Sequence, residues 1–188
     1  MRQTVGLFFF FGLAGTMCDR SWVVSNIMRY PLTHHLQPWW IFLQLGGVGV
    51  VAVLVAAWLT NLLVRRDTPV PADPAARFAG SASLFVAGYI ACGLFDASRG
   101  TQLAWGFIAL WLVRLILQRL KGFELVAVLL ITIGLGAAGV IAEIVLTHLH
   151  VMEYARPAFF GVPYWLAGLY MQAGYLARDI ARLWFGGR

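Results

Sequence analysis

Two pairs of histidines, His34-His35 and His148-x-His150, offer the sharpest catalytic chemistry in this sequence. Imidazoles are common zinc ligands, and a zinc ion held by these four would carry a water able to hydrolyse something at a membrane surface. The spacing is weak for that purpose. Neither pair sits at i,i+4, which would put two ligands on one face of a helix, and no general base is placed by sequence. A membrane enzyme with a histidine metal site is therefore the alternative function. The residues favour a protein with no catalytic site and no cofactor.

Neutral polar residues inside apolar sequence are more suggestive. Gln102 opens one apolar run, and Gln44 lies two turns inside another. A carboxamide both donates and accepts, which suits a single hydroxyl on an otherwise apolar ligand. It equally suits a hydrogen bond between helices, worth about 0.6 kcal/mol in lipid. Charge within the runs is scarce. Arg114 and Glu143 each lie about one turn from the end of a run, where a long side chain can reach the interface. No acid–base pair at mid-depth suggests a proton relay or ion path. Cys18 and Cys92 read as buried thiols rather than redox groups, because no C-x-x-C is present.

Six apolar segments must position all of these, at roughly 4–18, 38–63, 79–95, 102–119, 123–147 and 158–178. Each approaches the ~20 residues that cross a ~30 Å hydrocarbon core, and together they take up about 120 of the 188 positions. With 61% hydrophobic and 12% charged residues, the chain is a polytopic membrane protein in a single domain, 1–188. No connection is large enough to bury a core of its own. The net charge of +6 is spread over short loops, which excludes a nucleic-acid surface and points to membrane topology.

Assigning the loops alternately to two sides gives a clear asymmetry. Ten of the fourteen basic residues share the side that holds both termini, while Arg20, Arg29, Arg99 and Arg156 occupy the other. The positive-inside rule then places both termini in the cytoplasm. Thirteen of the basic residues are arginine, which together with the abundance of Ala, Val and Gly suggests a G+C-rich bacterial gene and hence a bacterial plasma membrane. The first segment also resembles a signal peptide, with Arg2, a phenylalanine run and Ala14-Gly15-Thr16. Retaining it gives the even number of spans that the charge asymmetry requires.

The external stretch 19–37 carries Trp22, Val23, Val24, Ile27 and Met28, too apolar for a solvated loop, so it is expected to lie at the interface or fold back. Three prolines within 64–78 predict an extended cytoplasmic linker. The connections at 96–101 and 119–124 are tight, so segments three, four and five form antiparallel neighbours. Glycines within the segments, such as Gly46, Gly49, Gly136, Gly139, Gly168 and Gly174, let helix backbones approach closely.

The stretch Tyr154-Ala-Arg-Pro157-Ala-Phe159-Phe-Gly-Val162-Pro-Tyr-Trp165-Leu166 resembles a segment of the Insig proteins, sterol-responsive regulators of the endoplasmic reticulum. The similarity continues through Gly174 to Asp179-Ile180-Ala-Arg182, where Insigs read Asn-Ile-Gly-Arg. The Trp39-Trp40 pair and the turn ending in Gln102-Leu103 are also similar. The resemblance covers most of the chain and is dense over 154–182.

That resemblance implies an all-α, six-span Insig-like protein that binds a lipid without catalysis. The family binds a hydroxylated sterol in an intramembrane cavity, and its pocket glutamine and phenylalanine fall on Gln102 and Phe85 here. Where Insigs carry an aspartate in Asp-Arg-Ser-Arg-Ser-Gly, needed for a sterol-sensing-domain partner, this chain reads Gln118-Arg119-Leu120-Lys121-Gly122. That departure counts against such a partner. The expected ligand is a neutral, hydroxyl-bearing lipid, sterol-like or diacylglycerol, and homo-oligomers are compatible with the glycine-rich faces.

Overall fold

A bilayer core offers the backbone no hydrogen-bond partners, so apolar runs of this length must satisfy their own amides as helices. The computed structural model describes residues 2–33, 36–64 and 73–185, with backbone alone at 97 and 98. Among them are six helices: α1 (Arg2–Val24), α2 (Ile41–Leu63), α3 (Pro74–Asp96), α4 (Arg99–Gln118), α5 (Gly122–His148) and α6 (Leu166–Phe185). The first five are long and apolar enough to cross a membrane.

Local chemistry sets the boundaries. Asp73 caps α3 by accepting the Ala76 amide at 2.9 Å, with Pro74 in the first helical position, where its missing N–H costs nothing. The helix thus starts before the expected 79, and the shortened linker falls mostly at 65–72, outside the described residues. Between α3 and α4 the chain turns at Arg99, whose φ of −144° and ψ of 32° leave the helical region. The turn is tight enough to bring Gly88 against the Phe107 ring, as expected of an antiparallel pair.

Two segments differ from the sequence expectation. α1 continues to Val24, so Asp19 is helical and the connection to α2 is shorter. α6 begins at Leu166, not near 158. The apolar residues 158–165 instead form a compact turn in which the Ala158 and Phe159 amides donate to the Val162 carbonyl, between Pro157 and Pro163. Val162 and Trp165 are fully buried there while Phe160 and Tyr164 stay exposed, so hydropathy reads as a span what is a partly buried loop.

The α1–α2 and α5–α6 connections meet in a two-stranded antiparallel ribbon, β1 (Met28–Arg29) with β2 (Glu153–Tyr154). Met28 lies opposite Tyr154, and Arg29 pairs with Glu153 at 2.6 Å. Beneath it Trp22 stacks on Tyr89, ring centroids 4.3 Å apart, and meets Trp165 edge-on at 5.0 Å. Within the expected external stretch, residues 25–33 fold back: Ile27, Met28 and Tyr30 are buried. Burial also pushes the Tyr30 and Tyr154 hydroxyls up, so both remain protonated donors.

α6 occupies the centre. It packs on α2, α5 and the α3–α4 pair, while α1 packs chiefly on α2. Most of its side chains are buried, including Gln172, Arg178 and Asp179. Glycine makes this packing possible. A Cβ at Gly174 would lie 2.7 Å from the Thr132 Cα of α5, and one at Gly49 would fall 2.2 Å from the Phe11 ring of α1.

Candidate functional site

Small residues on facing helices leave a groove between α3 and α4. Ala87, Gly88 and Ala91 present little bulk from α3, and a Cβ at Gly106 of α4 would meet nothing within 4 Å. The resulting space is about 350 Å³, walled by Leu84, Phe95, Leu103, Phe107 and Leu110. Its lining is apolar except at the ribbon end, where Arg99 and Gln102 enter. An acyl chain or ring system fits such a surface, and a carboxamide at one end can hold a hydroxyl.

Gln102 also borders a second, more polar depression of about 230 Å³. Asp96, Gly100, Thr101 and Arg156 line it together with Pro163, Tyr164 and Trp165. The Asp96 side chain is only 7% exposed. Its Oδ1 accepts the Trp165 indole N–H at 2.6 Å, and its Oδ2 stands 3.9 Å from the Arg156 guanidinium.

Phe85 is half-buried on an adjacent face of α3. Its ring meets Tyr89 edge-on at 5.2 Å and packs against the buried residues around Trp22 and those around Leu176, and it is not among the groove's lining residues. The structure therefore puts Gln102 in the groove and Phe85 beside it, turned inward.

Arg114 and Glu143 do not reach for the interface as expected. Arg114 is buried. It donates to Gln172 Oε1 at 3.0 Å and to the Ser81 hydroxyl, and lies 4.0 Å from Asp179. Ser81 in turn donates to Asp179. Glu143 accepts from the Tyr170 hydroxyl at 2.5 Å and from Tyr154 at 3.3 Å, again facing inward. Inward partners satisfy these groups better than a stretched side chain could, because buried charge is tolerated only when paired and hydrogen-bonded. At the end of the bundle near the termini, Arg178 and Arg182 both pair with Glu124, and Arg178 also donates to Gln118 Oε1 at 2.7 Å.

Sequence reasoning missed Ser81, Gln172 and Asp179. The signal was present in Arg178, Asp179 and Arg182, which fall inside α6 once its start is moved to Leu166.

The histidines are not gathered among the described residues. His148 Nδ1 lies 2.8 Å from the Ile144 carbonyl, and His150 is exposed, 3.9 Å from Glu153. His34 and His35 lie outside the described residues. Among those described, no three His, Cys, Asp or Glu side chains come together as a metal site, and Cys18 and Cys92 are free thiols.

Comparison with solved structures gives this architecture a precedent. A crystal structure of the mycobacterial Insig homologue MvINS from Mycobacterium vanbaalenii superposes with a TM-score of 0.73, covering 96% of this chain and 93% of that one at 22% identity. The fold is that of an Insig homologue. A cross-linked trimer of an MvINS variant agrees at a TM-score of 0.76 and 23% identity, covering 100% of this chain and 96% of that one. No family model matches the sequence, and no curated protein matches it.

Proposed function

We propose that this chain is a bacterial lipid sensor of Insig type, with no catalytic activity, that binds a neutral, hydroxyl-bearing lipid in the groove between α3 and α4. The observation that carries this reading is the groove's composition: an apolar trough with one carboxamide, Gln102, at its ribbon end. A sterol-like molecule or a diacylglycerol has the matching form, a long apolar body and one hydroxyl. Gln102 is its polar anchor. Phe85, packed inward beside the groove, supports the α3 wall against Tyr89.

Both termini lie in the cytoplasm on this reading, and the ribbon end faces outward. The basic asymmetry of the loops supports that orientation. The cross-linked trimer of an MvINS variant supports a homo-oligomeric assembly for this chain as well. Gln118 in place of the family's aspartate removes the contact needed for a sterol-sensing-domain partner.

Lipids extracted from the purified protein and identified by mass spectrometry test the reading. A stoichiometric neutral lipid is expected, reduced in Gln102→Ala and Phe85→Ala while both variants remain monodisperse. An unpaired buried polar group costs about 1–3 kcal/mol, so affinity should fall roughly five- to a hundredfold in Gln102→Ala. Wild-type lipid content in both variants would reduce Gln102 to a helix–helix contact.

A further inference from the structure

The apolar groove and the polar depression meet at Gln102, which lines both. A molecule lying in the groove therefore has its head end at the mouth of a second compartment, built from different chemistry. That compartment has a buried carboxylate (Asp96), a hydroxyl (Thr101), the Gln102 carboxamide and a guanidinium at its rim (Arg156).

One oxygen of Asp96 is committed to the Trp165 indole, which fixes the carboxylate's orientation. Among the described residues the other oxygen has Arg156 at 3.9 Å, beyond hydrogen-bond distance. A carboxylate oxygen is an acceptor alone, and it takes a hydrogen bond from any donor that reaches it through the depression. A ligand O–H can supply one. With Thr101 and Gln102 beside it, each able to donate and accept, two neighbouring hydroxyls of one ligand can be held at once. A phosphate held among these groups would have to sit against the Asp96 carboxylate, a cost that an uncharged diol does not meet, although Arg99 and Arg156 stand nearby.

We infer that the polar depression is a headgroup site for an uncharged lipid bearing vicinal hydroxyls, such as a hexosyl diacylglycerol, whose acyl chains occupy the α3–α4 groove. Asp96 and Thr101 read the diol, Gln102 stands at the junction, and Arg156 closes the rim. Trp165 and Tyr164 in the same walls suit headgroup depth, where aromatic side chains with a polar edge are favoured. The inference rests on the groove being the lipid site and adds which headgroup it selects.

The test compares three lipids with identical acyl chains on the purified full-length chain by native mass spectrometry: galactosyl-dioleoylglycerol, dioleoylglycerol and dioleoyl phosphatidic acid. Wild-type protein should bind the galactosyl lipid about tenfold more tightly than dioleoylglycerol, since hydrogen bonds to a charged group are among the stronger ones. Phosphatidic acid should bind more weakly than the galactosyl lipid. Asp96→Asn keeps an acceptor for Trp165, and Thr101→Val replaces an exposed side chain with one of similar shape that lacks the hydroxyl. Each should abolish most of the galactosyl preference and leave dioleoylglycerol affinity unchanged, and Thr101→Val alone decides the matter if Asp96→Asn does not fold. Gln102→Ala should weaken both neutral lipids. A galactosyl preference absent from wild type, or surviving in Thr101→Val, overturns the headgroup assignment while leaving the groove standing if dioleoylglycerol still depends on Gln102. Tighter binding of phosphatidic acid also overturns it, in favour of an arginine-read anion. Loss of any Gln102 dependence removes the groove and the headgroup site together.

Discussion

The Arg114 guanidinium lies over the Tyr175 ring, 3.9 Å from its centroid, so a charge on α4 is held by the face of an aromatic ring on α6. The ring's negative face and the hydrogen bonds to Gln172 and Ser81 surround this cation on the inside of the bundle. The arrangement also brings it to Asp179, the acid two turns along α6 from Gln172. Four polar groups from three helices thus satisfy one another where lipid could satisfy none.

Arg114→Leu should destabilise the protein by about 3–5 kcal/mol, the usual cost of leaving one member of a buried ion pair alone. The unfolding midpoint in a denaturing detergent titration measures it. Removing both charges in Arg114→Leu/Asp179→Leu should recover much of the loss. A double variant no more stable than the single one would show that the two residues do not act as a pair.

Gly174→Ala should cost about 1–3 kcal/mol, because the added methyl meets the Thr132 backbone at 2.7 Å and α5 must move away from α6. Gly134→Ala is the control: its added methyl would have nothing within 4 Å. Thermal unfolding in detergent should lower the midpoint for the first and not for the second. Equal effects would mean that helix propensity, not close approach, governs both.

Gln118→Asp should leave lipid retention unchanged. Residue 118 lies at the opposite end of α4 from Gln102 and contacts Arg178, which already pairs with Glu124. The new carboxylate would sit beside that guanidinium at no electrostatic disadvantage. A large drop in bound lipid on this substitution would demonstrate coupling between the two ends of the bundle.

A reporter fused after Arg188 should be cytoplasmic, and Thr101→Cys should react with an impermeant thiol reagent added from outside. The uneven distribution of basic residues motivates both. Labelling at 101 only after membrane disruption would invert the topology.

Much of the fold was legible because a bilayer leaves so few options. Apolar runs near spanning length had to be helices, and the short connection around Gly100 forced α3 and α4 together, which is what creates the groove at Gln102. What stayed hidden shares one cause. Hydropathy scores a residue and not its neighbours, so Arg114 at a run's end looked free to reach outward although Ser81, Gln172 and Asp179 were waiting inside. The same blindness placed the sixth segment too early, since a turn anchored by the buried Val162 and Trp165 is as apolar as a helix facing lipid. Phe85 came from the family resemblance, and an α-helix turns about 100° per residue, so neighbours in sequence point to different faces. Gln102 met the groove; Phe85 met Tyr89.

The central position of α6 bears on how the molecule is made. Each Arg or Asp near the middle of a helix raises the cost of entering lipid by about 2.5–3.5 kcal/mol, and α6 carries Arg178 and Asp179 well inside it, with Arg182 in its last turn. It is also synthesised after the five more apolar helices. Those five must therefore already present Arg114, Ser81 and Glu124 when α6 leaves the ribosome, serving as a proteinaceous port of entry for a helix that the lipid itself would refuse. Biogenesis of this protein is templated from within, and a ribosome-bound intermediate lacking α6 would hold unpaired charge open to quality-control proteases.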